Sequence, residues 1–185
     1  MSGLEDLQQV IQGCVRNERV SQELLYKEYY VPLFCMCRRF FENDHEAIES
    51  VNDGMMKVFG RIADYRSEKG QFFNWVYTIV RHTAIDKLRA SLRPAVLSGP
   101  YDAGEAVPET AADHNPIAAL ERKDLYILLD QLSPGTRAIC NLYYIEGYSI
   151  KEIAENVGLT TGTIKWHLSE SRRRLKSVLE RHFNR

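Results

Sequence analysis

The sequence predicts an all-α protein built from two small helical domains joined by a flexible linker. Three observations predict it. Apolar residues recur at steps of three and four along most of the chain, while strand-like alternation is weak. Helix start and stop signals bracket those stretches. Residues 94–116, PAVLSGPYDAGEAVPETAADHNP, hold four prolines and two glycines, show no helical period and are poor in large apolar side chains. That segment separates a domain over 1–93 from one over 117–185.

The elements follow in order. Ser2 and Glu5 have the spacing of a capping box. The helix they open carries Leu4, Leu7, Val10, Ile11 and Cys14 on one face. A second helical stretch covers about 21–42, with Leu25, Tyr29, Leu33, Met36 and Phe40 in register and Pro32 expected to kink or break it. Asp44 is placed to cap a third helix with Ile48, Val51, Met55, Phe59 and Ile62 inward. The segment DYRSEKG closes it as a loop, and a fourth helix spans about 71–92. After the linker, Asn115–Pro116 and Ser133–Pro134 both read as an N-cap followed by Pro at the first helical position. Leu125, Leu128, Leu129 and Leu132 lie between them. Ser149 and Glu152 form another capping box, opening a short helix that ends at Gly158. Thr160 caps the last helix, about 161–182.

Composition narrows the function. The 185 residues are 44 % hydrophobic and 26 % charged, with a net charge of −1. No run of eighteen apolar residues is present, so no membrane insertion is expected. The start MSGLEDLQQV is not a secretory signal. Cys14, Cys35, Cys37 and Cys140 have no metal or redox spacing, and the five histidines form no HExxH set. No phosphate loop or nucleophile elbow occurs. The chain therefore reads as a cytoplasmic protein with free thiols, without metal or cofactor, and not as an enzyme.

The near-zero charge hides an asymmetry. Residues 1–93 balance at 13 basic and 13 acidic side chains, 94–118 hold four acids and no base, and 119–185 hold 11 bases against 8 acids. The last 21 residues carry 7 bases and 2 acids. The basic end coincides with YSIKEIAENVGLTTGTIKWHLSESRRRL, which has the layout of a DNA-binding helix-turn-helix. Ile150, Ile153 and Ala154 form the inner stripe of its first helix, Gly158 the turn and Leu159 the plug. Ile164, Leu168 and Leu175 turn the second helix inward. At 100° per residue this leaves Thr163, Trp166, Ser169, Glu170 and Arg173 outward, with Lys165 and Arg172 on one flank and His167 and Arg174 on the other. Base readers are expected in the centre and phosphate binders at the edges. A solvated amphipathic helix leaves the outward Trp166 and the run Arg172–Arg174 unexplained; Trp166 packing on a neighbouring domain or protein is the competing reading.

The fourth helix, FFNWVYTIVRHTAIDKLRASLR, turns Phe73, Val76, Val80 and Ala84 inward. Asn74, Trp75, Thr78, Arg81, His82, Ile85, Arg89 and Arg93 lie on its other face. Aromatics interleaved with arginines suit single-stranded DNA, because bases stack and phosphates pair. The alternative has Trp75 and Ile85 covering a neighbouring helix. Lys87 falls near the inward side, where only snorkelling accounts for it. The third helix exposes Glu46, Glu49, Asn52 and Asp53, a face that is either simply solvated or suited to a basic protein surface.

In order and spacing, LLYKEYYVPLFCMCRRFF, AIESVNDGMMKVFGRIADYR and FFNWVYTIVRHTAIDKLR resemble region 2 of the sigma-70 family. LLDQLSPGTRAICNLYYIEGYSIKEIAENVGLTTGTIKWHLSESRRRL resembles region 4. The combination is similar to the extracytoplasmic-function (ECF) group. The resemblance implies an alternative sigma factor that binds core RNA polymerase and directs promoter recognition, melting and initiation. It implies polymerase docking through Glu49, Asn52, Asp53, Met56 and Phe59. Minus-ten reading would fall to the Asp64–Phe73 loop with Asn74, Trp75, Thr78, Arg81, His82, Ile85 and Arg89. Duplex minus-35 reading would fall to Thr161, Thr163, Lys165, Trp166, His167, Ser169, Glu170, Arg172, Arg173 and Arg174. The acidic linker would run through the RNA-exit channel, and an anti-sigma factor is an implied partner. The chain departs from the family's usual residues at His82, Trp166 and Glu170. The competing function is a LuxR-type regulator, whose recognition helix resembles GTIKWHL and which binds duplex DNA without joining the polymerase.

Overall fold

The structure is a computed structural model that describes residues 4–98 and 122–183. All regular elements among them are helical: α1 (Leu4–Val15), α2 (Arg19–Arg38), α3 (Asp44–Arg61), two 3-10 turns (Ile62–Asp64 and Ser67–Lys69), α4 (Phe72–Ser98), α5 (Arg122–Leu129), α6 (Pro134–Tyr144), α7 (Ile150–Val157) and α8 (Thr161–Phe183). The chain forms two compact units. The first takes the chain up to Arg38 together with Asn43–Ala84. The second takes Arg39–Glu42 and the chain from Ile85 onward. The expected caps at Ser2 and Asn115–Pro116 lie outside the described residues. So does the expected linker beyond residue 98, whose first five residues continue α4.

In the first unit, α1 packs on α2 and α2 on α3. Asn17 closes α1 at φ 59°, a left-handed conformation that asparagine tolerates. Pro32 does not break α2, which runs unbroken from Arg19 to Arg38. Pro32 lies on the exposed side of the helix with Val31 and Glu28. The cap of α3 is Asn43, one residue before the expected Asp44. Its side chain accepts from the Glu46 N–H at 2.9 Å. Ala47, Val51, Met55 and Val58 form the buried stripe of this helix and Ile62 of the next turn continues it, while Ile48, expected inward, is exposed.

Gly54 marks the tightest approach. A Cβ there would meet Val80 of α4 at 2.8 Å from Cγ2 and 2.9 Å from Cα, so backbone as well as side chain blocks it. Gly60, two turns on, has nothing within 4 Å.

In the second unit, α6 is the inner helix. Every residue from Thr136 to Leu142 is buried. Leu128, Leu129, Leu132, Cys140 and Leu175 form a core against which Leu125, Tyr144, Ile145 and Val178 pack. The fully buried Arg137 donates from Nε to the Leu129 carbonyl at 3.0 Å and from Nη1 to the Phe41 carbonyl at 2.7 Å, and it pairs with Asp130. These acceptors offset the cost of burying a guanidinium. Burial pushes the Cys14 thiol up to about 11 and the Cys140 thiol up to about 12, so both stay protonated at neutral pH.

The two glycines of α3 give opposite expectations. Gly54→Ala gains about 1 kcal/mol of helix propensity but incurs overpacking of about 1–3 kcal/mol, for a net loss. Gly60→Ala gains about 0.5–1 kcal/mol with no clash. Urea unfolding of both variants checks this; a Gly54→Ala protein as stable as Gly60→Ala contradicts the close approach.

Candidate nucleic-acid interface

The helix-turn-helix is built by local chemistry. Ser149 Oγ accepts from the Glu152 N–H at 3.2 Å, and Glu152 Oε2 accepts from the Ser149 N–H at 2.9 Å, completing the expected capping box. Gly158 ends α7 at φ 73° and ψ 33°, a left-handed conformation suited to glycine. Thr160 then caps α8, its Oγ1 accepting from the Thr163 N–H at 3.1 Å. Ser133 behaves differently from the expected cap. It stands before Pro134, but its hydroxyl donates to Thr136 Oγ1 at 3.0 Å rather than accepting a backbone N–H.

Ile153, Ala154 and Val157 of α7 are buried, as are Ile164, His167, Leu168, Ser171 and Leu175 of α8. The remaining face of α8 includes exposed Thr161, Trp166, Arg173 and Arg174, with Thr163, Lys165, Ser169, Glu170 and Arg172 partly covered. Trp166 is 47 % exposed.

His167 is the correction to the helical wheel. Expected at the edge of the reading face, it is 3 % exposed. It follows Ile164 by three residues, so it shares the inner stripe, and a partner on α6 makes its burial tolerable. Nδ1 lies 2.9 Å from Thr136 Oγ1. Ser133 donates to the same hydroxyl, so Thr136 links the start of α6 to the imidazole. Burial pushes the imidazole down to about 4, against an upward pull from Glu170. His167 is therefore neutral at physiological pH and ties α8 to the start of α6.

Glu170 is held by neighbours on its own helix. Arg173 donates from Nε and Nη2 at 2.9 and 2.8 Å, and Arg174 from Nε at 2.6 Å. The hydrogen bonds from Arg173, then those from Arg174, hold its carboxyl down at about 2 despite partial desolvation.

On α4, Asn74 and His82 are exposed, and Trp75, Thr78 and Arg81 are partly covered along the same face. Trp75 leans on Tyr65 and Phe72, with ring centroids at 5.8 and 5.7 Å. Thr78 donates to the Asn74 carbonyl at 2.8 Å. The Arg81 guanidinium lies 5.8 Å from the Tyr77 ring centre. Ile85 is corrected: it is 2 % exposed and packs inward. Its place beside the buried Ala84 and Leu88 widens the inner stripe of α4. Arg89 lies in the second unit, where Nε donates to the Asn156 carbonyl.

Sequence reasoning missed individual roles for Tyr65 and Tyr77 in this aromatic cluster. Tyr65 also closes the loop before α4 by donating to the Gly70 carbonyl at 2.9 Å. The density of aromatics around FFNWVY was the available signal.

On α3, Glu49, Asn52, Asp53 and Met56 are exposed at steps of three and four, and Phe59 is half-buried. Met56 is 70 % exposed. Tyr26, which sequence did not single out, donates to Asn52 Oδ1 at 2.7 Å and fixes that amide.

A capped helix, a left-handed glycine and a second helix with a basic outer face define a helix-turn-helix protein of the kind that binds DNA. Comparison with known families makes this more particular. Residues 25–93 match the model for Sigma-70 region 2, and residues 122–175 match that for Sigma-70 region 4. The chain belongs to the sigma-70 family. The region 2 match covers the half in which a LuxR-type regulator would carry its sensing domain, so that alternative is not favoured.

Relatives described as ECF RNA polymerase sigma factors include SigE of Mycolicibacterium smegmatis, 27 % identical over 88 % of this chain and 63 % of that protein. SigK of Mycobacterium ulcerans is 23 % identical over 95 % of both chains. SigL of Mycobacterium tuberculosis is 25 % identical over 92 % of this chain and 95 % of its own. The chain thus spans less than two thirds of SigE but nearly all of SigK and SigL. Among the described residues, no helix is long and apolar enough to cross a membrane.

The buried imidazole gives a pH test. His167 binds a proton near pH 4 when folded and near 6.5 when unfolded, so between those values the unfolded chain takes up more protons. Its contribution is complete above pH 6.5 and is lost as pH falls toward 4, by about 3 kcal/mol. Urea unfolding at pH 7 and pH 4.5 is expected to show a smaller acid loss in His167→Asn than in the parent. Equal losses contradict a buried neutral His167.

Proposed function

We infer that this chain is an alternative sigma factor, which binds core RNA polymerase and directs promoter recognition, promoter melting and initiation. One observation carries the reading: region 2 and region 4 occur in order on a single chain. Bond making and breaking belong to the polymerase; the chain supplies recognition.

The domains divide the work. Residues 1–93 dock on the polymerase and read the minus-ten element, the acidic part of 94–116 beyond α4 is the linker in the RNA-exit channel, and 117–185 read minus-35. Docking uses Glu49, Asn52, Asp53, Met56 and Phe59. The exposure of the first four at helical spacing supports this, as does the Tyr26 bond that orients Asn52. Asn74, Trp75, Thr78, Arg81 and His82 take the melted strand at minus-ten. The half-open Trp75, backed by Tyr65 and Phe72, is a stacking platform for an unpaired base, and a pocket for such a base offsets its unstacking cost.

Duplex reading at minus-35 falls to the outer face of α8, with Thr163, Trp166 and Ser169 toward the bases and Thr161, Lys165, Arg172, Arg173 and Arg174 toward phosphates. Ile85 and His167 support these faces from inside. The chain works in the cytoplasm, and a protein inhibitor of the anti-sigma kind is its expected regulatory partner.

Purified chain with core polymerase is expected to start transcription at a specific promoter. Tight duplex binding without initiation would return the function to a regulator. Trp75→Ala is expected to lower open-complex formation by about 5- to 150-fold, since a stacked base is worth about 1–3 kcal/mol. Duplex binding at minus-35 stays unchanged. Normal melting by this variant assigns Trp75 to packing alone.

A further inference from the structure

The carboxylate of Glu170 lies under two guanidiniums. Arg173 grips it side-on, with Nε on Oε2 at 2.9 Å and Nη2 on Oε1 at 2.8 Å, and Arg174 Nε reaches the same Oε1 at 2.6 Å. The Glu170 side chain is 17 % exposed, against 70 % for Arg173 and 49 % for Arg174. An ordinary surface pair leaves both partners in water and contributes little. Here three charge-assisted hydrogen bonds converge on one shielded acid, and the bases form the outer layer. Side-on, two-point binding is also how a guanidinium takes a phosphate. Two of the four Lys and Arg residues between 165 and 174 are held in this way. The same two arginines line a groove with Gln131 and Ser177, which leaves them approachable from solvent.

We propose that Glu170 is an internal stand-in for a DNA phosphate, which occupies Arg173 and Arg174 in the free chain and must be displaced by the duplex backbone. The inference rests on the reading of α8 as the duplex-binding helix. Its consequence is specificity. A random duplex offers only phosphates in exchange for a carboxylate already in place, so little is gained. A minus-35 duplex adds base contacts that favour the exchange. Glu170 thereby lowers non-specific affinity while leaving promoter binding strong.

The test measures binding of the full chain to a random-sequence duplex and to a minus-35 duplex by fluorescence anisotropy across a salt series. Glu170→Gln keeps the shape and removes the charge. It is expected to tighten random-duplex binding about 3–10-fold. The dependence of log affinity on log salt is expected to steepen by about 1–2, near 0.9 for each phosphate engaged. Preference for the minus-35 duplex should narrow.

The double variant Arg173→Ala/Arg174→Ala is expected to weaken binding to both duplexes. Adding Glu170→Gln to it should then produce no gain. A gain that persists without the arginines indicates mere loss of a repelling charge and overturns the proposal. So does an unchanged Glu170→Gln protein alongside a weakened double variant, which leaves the reading of α8 standing. A double variant that binds both duplexes normally overturns the proposal together with that reading.

Discussion

The enclosure of α6 is the constraint on which the DNA-reading half depends. Seven consecutive residues of this helix, Thr136 to Leu142, are buried, yet the stretch includes a threonine, an arginine and an asparagine. A helix hidden on all sides has to satisfy its polar side chains within the protein, and two of these three do so, while the Asn141 amide has no hydrogen-bond partner among the described residues. Arg137 finds the carbonyls of Leu129 and Phe41 and the carboxylate of Asp130. Thr136 finds His167. Apolar packing tolerates small rotations; hydrogen bonds are directional. The Thr136–His167 bond therefore sets the rotation of α8 about its axis, and with it the residues that face outward. Leaving a buried polar partner unsatisfied costs about 1–3 kcal/mol, and uncovering a buried charge more.

The outer face of α8 follows from that rotation. With Ile164, His167, Leu168, Ser171 and Leu175 turned inward, Trp166 and Arg173 face solvent. Glu170 sits between the two faces and ties down Arg173 and Arg174. In the first unit, the close approach at Gly54 sets α3 against α4. The polar face of α3 is left outward and the aromatic cluster of Tyr65, Phe72 and Trp75 gathers at the start of α4. Both units use one device: a buried stripe that fixes which polar and aromatic groups face a partner.

What the sequence made legible was whatever rests on near neighbours. The Ser149–Glu152 box, the Gly158 turn and the Thr160 cap each need only residues three or four apart. Asn43 and Asp44 are both competent caps, so the start of α3 was displaced by one residue. The misses come from distant partners. The helical wheel sets His167 at the edge of the outer face, and Thr136, which makes its burial tolerable, is 31 positions away. A narrow inner stripe of Phe73, Val76, Val80 and Ala84 leaves Ile85 on the outer face of α4. Its buried side instead takes in Ala84, Ile85, Leu88 and Leu92 as the helix passes from one unit to the other. Tyr26 and its bond to Asn52, across two helices, left no local mark. The family was legible because two motif sets in fixed order are far more specific than either one.

The central claim is that one chain couples reading of a duplex element to opening of a nearby one. Permanganate footprinting of the chain with core polymerase, on the promoter it selects, tests this most directly, because permanganate attacks unpaired thymines. The account predicts protection around minus-35 together with reactive thymines at minus-ten, both dependent on this chain. Protection at minus-35 with unreactive, fully paired thymines at minus-ten would contradict it.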